Sequence, residues 1–395
     1  MFTPIHHNPV IRYHLILLIV ISVIISAACS AQNDETASDK LVSGVPAATS
    51  EIEKPSTEST NETASTSTEG TKATSNETKN NQSDSANSDA DDKTTEERGL
   101  EQDCGKRESV VTTFEKVTIT DALGQQIDFE ESPQKIATIS PTATEFLYAA
   151  GGESILRDRA SNYPDLAKCL PDVGSAYDPS IETIISSEPD LVIIEALTQA
   201  RFIDRLNQAG LLVMAIKAES ISDIKNGILH LGEIAGTQKI AQEAVVNLET
   251  RLEASKAADT RTILLLISDR DRNLYAARPE SYTGLIAETA GFSNLAAGLP
   301  DSGPFPGFAL MSPETILAAN PDILLTITPA PEPAPRLSES LSFIPGFTQL
   351  NALKIGKKAD GSYGNNVIEG DVALFLQAPG PRIVEAVELL REKTN

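Results

Sequence analysis

Two stretches far apart in the chain repeat one pattern. Glu182-Thr183-Ile184-Ile185 is followed by Pro189-Asp190-Leu191-Val192-Ile193, and Glu314-Thr315-Ile316-Leu317 by Pro321-Asp322-Ile323-Leu324-Leu325, with the same interval from Glu to Pro-Asp. Each copy reads as a short helix, a Pro-Asp turn and a buried strand. A chain that uses this unit twice is expected to form two lobes of similar build. The repeat belongs to a wider alternation. Short apolar runs at Val117 to Ile119, Lys135 to Ile139, Leu191 to Ile194, Leu212 to Ile216, Ile263 to Ile267 and Ile323 to Ile327 read as strands, with helical patterns between them. Strands alternating with helices predict an α/β fold of parallel sheets covered by helices.

Between the two units lies the longest helical pattern. Ile221, Ile224, Ile228, Leu231, Ile234, Ala241, Val245, Leu248 and Leu252 recur at three- and four-residue steps. A continuous helix from Ser222 to Ser255 would be about 50 Å long at 1.5 Å per residue. It would serve as a stiff spine joining the lobes and limiting their closure, although Gly227, Gly232 and Gly236 weaken its middle. The expected division is an N-terminal αβ lobe over 106–220, the inter-lobe helix over 221–256 and a C-terminal αβ lobe over 257–395.

Upstream the composition changes. From Ser30 to about Asp103 the chain is built from Ser, Thr, Asn, Glu, Asp and Ala and has no aromatic residue. Such a segment buries too little apolar surface to offset the entropy of ordering, so 29–105 is expected to be a disordered acidic linker. It carries 17 acidic and 6 basic residues, a balance of −11 within the chain's −24. Acidity of this kind excludes nucleic acid as a partner, because phosphate binding needs a basic face. As a flexible chain the segment reaches roughly 50 Å.

The first 28 residues read as an export signal. His6, His7 and Arg12 precede an apolar run from Leu15 to Ile25, then Ser26-Ala27-Ala28 and Cys29. The run is about half of the ~20 residues needed to span a bilayer. Ser26-Ala27-Ala28-Cys29 resembles a bacterial lipobox, which implies diacylglycerol on Cys29 and cleavage before it. The alternative is an ordinary signal peptide with an incidental cysteine. Cys104 and Cys169 remain, and in an oxidising compartment they are expected to pair. Ser30, rather than Asp, follows Cys29, so the signal does not itself specify which membrane holds the anchor.

The ordered series Val117-Thr118-Ile119-Thr120-Asp121-Ala122-Leu123-Gly124, Pro133-Gln134-Lys135-Ile136, Ser140-Pro141-Thr142-Ala143-Thr144-Glu145, Ser161-Asn162-Tyr163-Pro164, Pro171-Asp172-Val173-Gly174, Pro189-Asp190-Leu191-Val192 and Pro379-Gly380-Pro381-Arg382 resembles the periplasmic-binding family that delivers ferric siderophores, haem and cobalamin to ABC importers. The resemblance covers about 280 residues. It implies two αβ lobes joined by one long helix, a ligand cleft between them, no enzymatic activity and no cofactor of the protein's own. It also implies a monomer outside the cytoplasm that works with a permease dimer and its ATPase.

Histidine is scarce. Three of the four lie in the signal segment and only His230 remains. A bare-metal site or a Ser-His-Asp set therefore lacks its residues, and His230 reads as a structural helix residue. The ligand is expected to carry its metal already chelated. Candidate ligand contacts are Ser140 and Thr142 at the start of a helix, where free N–H groups suit polar or anionic parts of a ligand. Thr142 with Glu145 has capping-box spacing. Tyr163 and Tyr177 lie in turn-rich loops, where the resemblance places cleft aromatics. Tyr177 stands three residues after Gly174, with Ser175 where haem-binding relatives carry Tyr. Arg278, Tyr282, Phe305 and Phe308 are candidates from the second lobe. Arg278 could pair with a carboxylate or phosphate, and the aromatics could offer flat apolar surface to a macrocycle. Glu182 and Glu314 head the repeated units, and the resemblance implies that they dock into the two permease subunits. Cobalamin or another corrinoid leads over a ferric siderophore, with haem third. An extracytoplasmic enzyme and a stalked adhesin are the readings from other classes.

Overall fold

The structure is a computed structural model, and it describes residues 114–395 except 257, 258, 332, 358–360 and 362. Cys29, the acidic linker and Cys104 lie outside the described residues. Cys169 is disulfide-bonded.

The chain enters through a hairpin, β1 (Val117–Thr120) with β2 (Gln126–Phe129). The first lobe then builds a parallel sheet from β3 (Ile136–Thr138), β4 (Leu191–Glu195) and β5 (Val213–Ile216), in the order β3-β4-β5. Helices α1 (Pro141–Ala149) and α2 (Ile181–Ser186) belong to this lobe. All five residues of β4 are buried, because the sheet is covered on both faces. Ile136, Leu191, Ile193, Met214 and Ile216 face α1. Ala137, Val192, Ile194, Val213 and Ala215 pack with Ile181 and Ile184 of α2 on the other side. The period-two alternation of side chains produces this split.

Residues Ile221–Ile234 form α3 and Gln238–Ser255 form α4. The single helix expected over 221–256 is therefore two. Gly236 adopts φ +70°, and Thr237 N–H reaches back to the Gly232 carbonyl at 2.8 Å, which is how a helix ends on a left-handed residue. The Thr237 hydroxyl also donates to the Ala150 carbonyl at 2.7 Å. The two helices then fold against each other. Lys225 pairs with Glu249, and a Cβ on Gly232 would lie 2.3 Å from the Ala241 Cβ. The glycine that weakens the helical pattern at 232 thus makes the close crossing, and α4 alone, about 27 Å long, connects the lobes.

The second lobe contains β6 (Thr262–Ser268), β7 (Leu274–Ala277), α5 (Tyr282–Thr289), β8 (Phe308–Met311), α6 (Pro313–Ala319), β9 (Ile323–Ile327), β10 (Val367–Gly370) and α7 (Ile383–Thr394). Its sheet runs β8-β7-β6-β9-β10. β6, β9 and β10 are parallel, and β7 pairs antiparallel with both β6 and β8. Leu264, Leu266 and Leu324 pack with Ile316 of α6. Ile263, Leu265, Ile267, Ile323 and Leu325 face the core that also takes Val245, Leu248 and Leu252 of α4 and Phe146 of α1. Each lobe therefore has one private core under its repeated helix, and both share a third core along α4.

The repeated Pro-Asp has a structural task in each lobe. The Asp190 carboxylate accepts from Gln134 and Lys135 N–H, both at 2.8 Å, at the entry to β3. The Asp322 carboxylate accepts from Thr262 N–H at 3.0 Å and its hydroxyl at 2.9 Å, at the entry to β6. These bonds hold the Asp322 carboxyl below its usual pKa. In both lobes the aspartate satisfies backbone donors at the start of the neighbouring parallel strand.

Candidate functional site

In open α/β sheets ligands bind beyond the carboxyl ends of the strands, so those ends locate the site in each lobe. In the first lobe the Gln199 side chain organises them. Its Nε2 donates to the Ile139 carbonyl after β3 at 2.6 Å and to the Ala176 carbonyl at 2.9 Å, while its Oε1 accepts from Glu195 N–H of β4 at 3.0 Å. The tight hairpin Gly174–Ser175 with Asp178–Pro179 is thereby pinned over the strand ends. Tyr177 sits at its tip, 67% exposed, with its carbonyl accepting from Arg201. An aromatic held this far into solvent by a fixed turn is available to a flat ligand.

Ser140 and Thr142 are buried at 3% and 1% exposure. Ser140 is the N-cap of α1, accepting from Ala143 N–H at 3.1 Å. The Thr142–Glu145 capping box does not form: Glu145 instead reaches Arg382 in the other lobe. The hydroxyls near this helix start bond one another. Thr144 contacts Thr138 at 2.8 Å and Ser161 at 3.0 Å, and Ser161 donates to Asp158. Burial pushes the Asp158 carboxyl up.

In the second lobe Arg278, Phe305 and Phe308 come together. Arg278 follows directly after β7, and its N–H donates to the Gly307 carbonyl at 3.0 Å. Its guanidinium pairs with Glu280 at 3.2 Å and Asp301 at 3.5 Å. Phe305 stands edge-to-face against Tyr275 at 5.2 Å and Phe308 at 6.3 Å. Tyr275, absent from the candidates read in the sequence, is anchored by its hydroxyl to Asp269 at 2.9 Å. Its place on β7 opposite Leu310 brings it to Phe305, a relation that only strand pairing creates.

Tyr163 and Tyr282 belong elsewhere. Tyr163 lies under the Arg382 guanidinium, 4.2 Å from ring centre to cation. With Glu145, Arg251, Arg382 and Glu385 it lines a depression of about 270 Å³ between α1, α4 and the start of α7. Tyr282, the first residue of α5, is buried on the same side, where the Glu145 charge acts on its hydroxyl.

Glu182 and Glu314 are exposed in the first turns of α2 and α6. The repeat extends to their caps. Ser180 and Ser312 each accept from the N–H of the residue three along, Thr183 and Thr315, at 3.2 Å, and each hydroxyl meets that of the same threonine, at 2.8 and 3.1 Å. Backbone and Ser312 hydrogen bonds lower the Glu314 pKa. His230 lies within α3.

The model of the periplasmic binding protein family matches residues 136–358, more than half of the chain, with the first lobe's parallel sheet and all of the second lobe's sheet but β10. The chain belongs to that family. It is a binding protein rather than an enzyme, so the enzymatic alternative falls away. Among its relatives is the uncharacterized ABC transporter substrate-binding lipoprotein YvrC of Bacillus subtilis, 26% identical over 289 residues, covering 70% of this chain and 84% of that protein. The cobalamin-binding protein of Halobacterium salinarum is 24% identical over 221 residues, covering 53% and 58%. Among solved structures, the petrobactin-binding protein YclQ of B. subtilis matches 71% of this chain and 99% of its own, with a TM-score of 0.60 at 18% identity. At that identity the likeness speaks for the two-lobed α/β fold alone.

Proposed function

We propose that this chain is the substrate-binding subunit of an ABC importer for a metal-chelate nutrient, held outside the cytoplasm by a lipid on Cys29. Cobalamin or another corrinoid leads, ahead of a ferric siderophore and haem. The observation that carries the transport reading is the duplicate presentation of one acid: Glu182 and Glu314 head equivalent helices, one per lobe, with the same Ser–Thr cap. A pseudo-symmetric binder meeting a two-fold permease needs one matched contact per lobe. The ligand class is supported by Tyr177 in one lobe and by the half-buried ring of Phe305 in the other, whereas Phe308, expected as a ligand contact, is buried with Tyr275 in the core behind it. It is supported also by the relatives, of which one is named for cobalamin and another for ABC substrate binding.

Absorption spectra of the protein titrated with hydroxocobalamin, hemin and ferric siderophores test the ligand. Hydroxocobalamin should shift and saturate. Tyr177→Ala should weaken that binding about tenfold, since an aromatic contact contributes on the order of 1–2 kcal/mol. Silence with all three chelates would sink the reading.

The anchor is tested separately. Cys29→Ser, carried behind a signal peptide that is cut without a lipobox, should move the protein from the membrane fraction to the soluble one, while binding of the same chelate is retained. A single acyl chain binds membranes only marginally and two bind stably, so a diacylglycerol group should decide the partition. Cys29→Ser protein that stays in the membrane fraction would remove the lipid.

A further inference from the structure

Among the described residues, Glu145 and Arg382 form a buried ion pair between the lobes. Both Glu145 oxygens accept from Arg382, from Nε at 2.9 Å and from Nη2 at 2.6 Å. Glu145 projects from α1 in the first lobe, whereas Arg382 caps α7 in the second. The Glu145 side chain is 3% exposed and that of Arg382 is 15% exposed. Beside them, Phe146 is a wedge. A Cβ on Gly227 of α3 would come within 2.5 Å of its ring, and one on Gly380, just before α7, within 3.0 Å. Tyr163 covers the outer face of the guanidinium.

A buried ion pair is poor at adding stability, because desolvation offsets most of the attraction, but it can specify one arrangement over others. The Tyr282 hydroxyl points to a second arrangement. It is buried without a hydrogen-bond partner; the Gly380 backbone approaches it, but not in hydrogen-bonding geometry. A buried polar atom left in this state carries a cost that another arrangement can relieve.

We propose that Glu145 and Arg382 are an interlobe latch that sets the angle between the lobes, and that protonation of Glu145 releases it. An ionised carboxylate only accepts, and it binds the Arg382 fork at two points. A neutral acid keeps one acceptor and gains an O–H donor, for which the Tyr282 oxygen is an unfilled acceptor. Burial, against the pull of Arg382, raises the Glu145 pKa to about 7. The other charged and titratable groups around it are Glu385 of α7, Asp371 after β10, Tyr163, Tyr282 of α5 and, through Tyr163, Arg251 of α4. Glu385 and Asp371 add to the rise. In the released arrangement Glu145 stays buried but loses Arg382, so its pKa lies above that of the latched state, and acid therefore favours release as pH falls from that higher value toward about 7.

Spin labels on Ser186→Cys in α2 and Ala318→Cys in α6 report the lobe separation by pulsed electron resonance in the full chain, without ligand. A single narrow distance is expected at pH 8. A second distance should grow several-fold in population by pH 6, with about tenfold the limit when release raises the Glu145 pKa well above about 7. Glu145→Gln should show the second distance at both pH values, and Tyr282→Phe should reduce it at pH 6. A wild-type distribution unchanged from pH 6 to pH 8 overturns the proposal, whether or not the variants fold. A pH response that survives in Glu145→Gln overturns it as well.

Discussion

Replacing Glu182 and Glu314 together by Ala is expected to leave chelate binding within twofold of wild type and to cut import at least tenfold. Both side chains are exposed in the first turns of helices that cover the private cores of their lobes. Removing them leaves no buried partner unsatisfied, so the fold should tolerate the change within about 0.5 kcal/mol per site. At an interface with a permease, charge pairs orient the encounter, and close pairs couple by about 1.5 kcal/mol or more. Losing two of them multiplies into a large loss of productive complex. The single variants should fall between, each losing import to a similar extent, because the two caps are built alike. Uptake of the bound chelate, measured in cells or vesicles beside the equilibrium affinity of the same variants, distinguishes docking from binding. Unchanged uptake in the double variant would remove the docking role of both acids.

Gly284→Ala should destabilise the second lobe by about 3 kcal/mol or more. A Cβ at this position would stand 1.9 Å from the Arg278 carbonyl oxygen and 2.6 Å from its carbon. The obstacle is backbone, so no side-chain rotamer relieves it, and the turn itself must move. That turn is tied at both ends. Ser281 accepts from Gly284 N–H at 3.0 Å and donates to the Arg278 carbonyl at 2.7 Å. Overpacking a well-filled site commonly costs about 1–3 kcal/mol, and displacing the Ser281 cap adds about 1 kcal/mol. Thermal unfolding should show a clear fall in Tm, with Gly356→Ala as the control. Gly356 has open space around its Cβ position, and there the change should stay within about 0.5 kcal/mol. Equal Tm values for the two variants would mean that the Arg278–Gly284 turn yields easily.

Much of the fold is legible from local pattern. The repeated Glu…Pro-Asp units mark equivalent helix-and-strand pairs, and their aspartates bind equivalent strand entries. The six apolar runs are all strands, within a residue or two at their ends. The connecting helix is a partial success. Its heptad-like period is real, but Gly236 ends the first helix and Gly232 lets the second fold back on it. A period describes which face is apolar and is silent on whether the axis continues. Strands β7 and β8 escaped notice because they are short and their partners are distant or antiparallel across a loop.

The site divides along the same line. By itself the sequence determined the two-lobed α/β plan and the paired acids, because period, capping and composition depend on near neighbours. Tertiary structure alone decided the roles of individual side chains. It drew Glu145 away from its own helix start to Arg382, 237 positions along the chain. It set Tyr163 under that arginine, brought Tyr275 to Phe305, and left Tyr177 in solvent. The physical reason is desolvation: a charge or a ring acquires its partner and its pKa from whatever distant segment excludes water around it, and no local pattern carries that information.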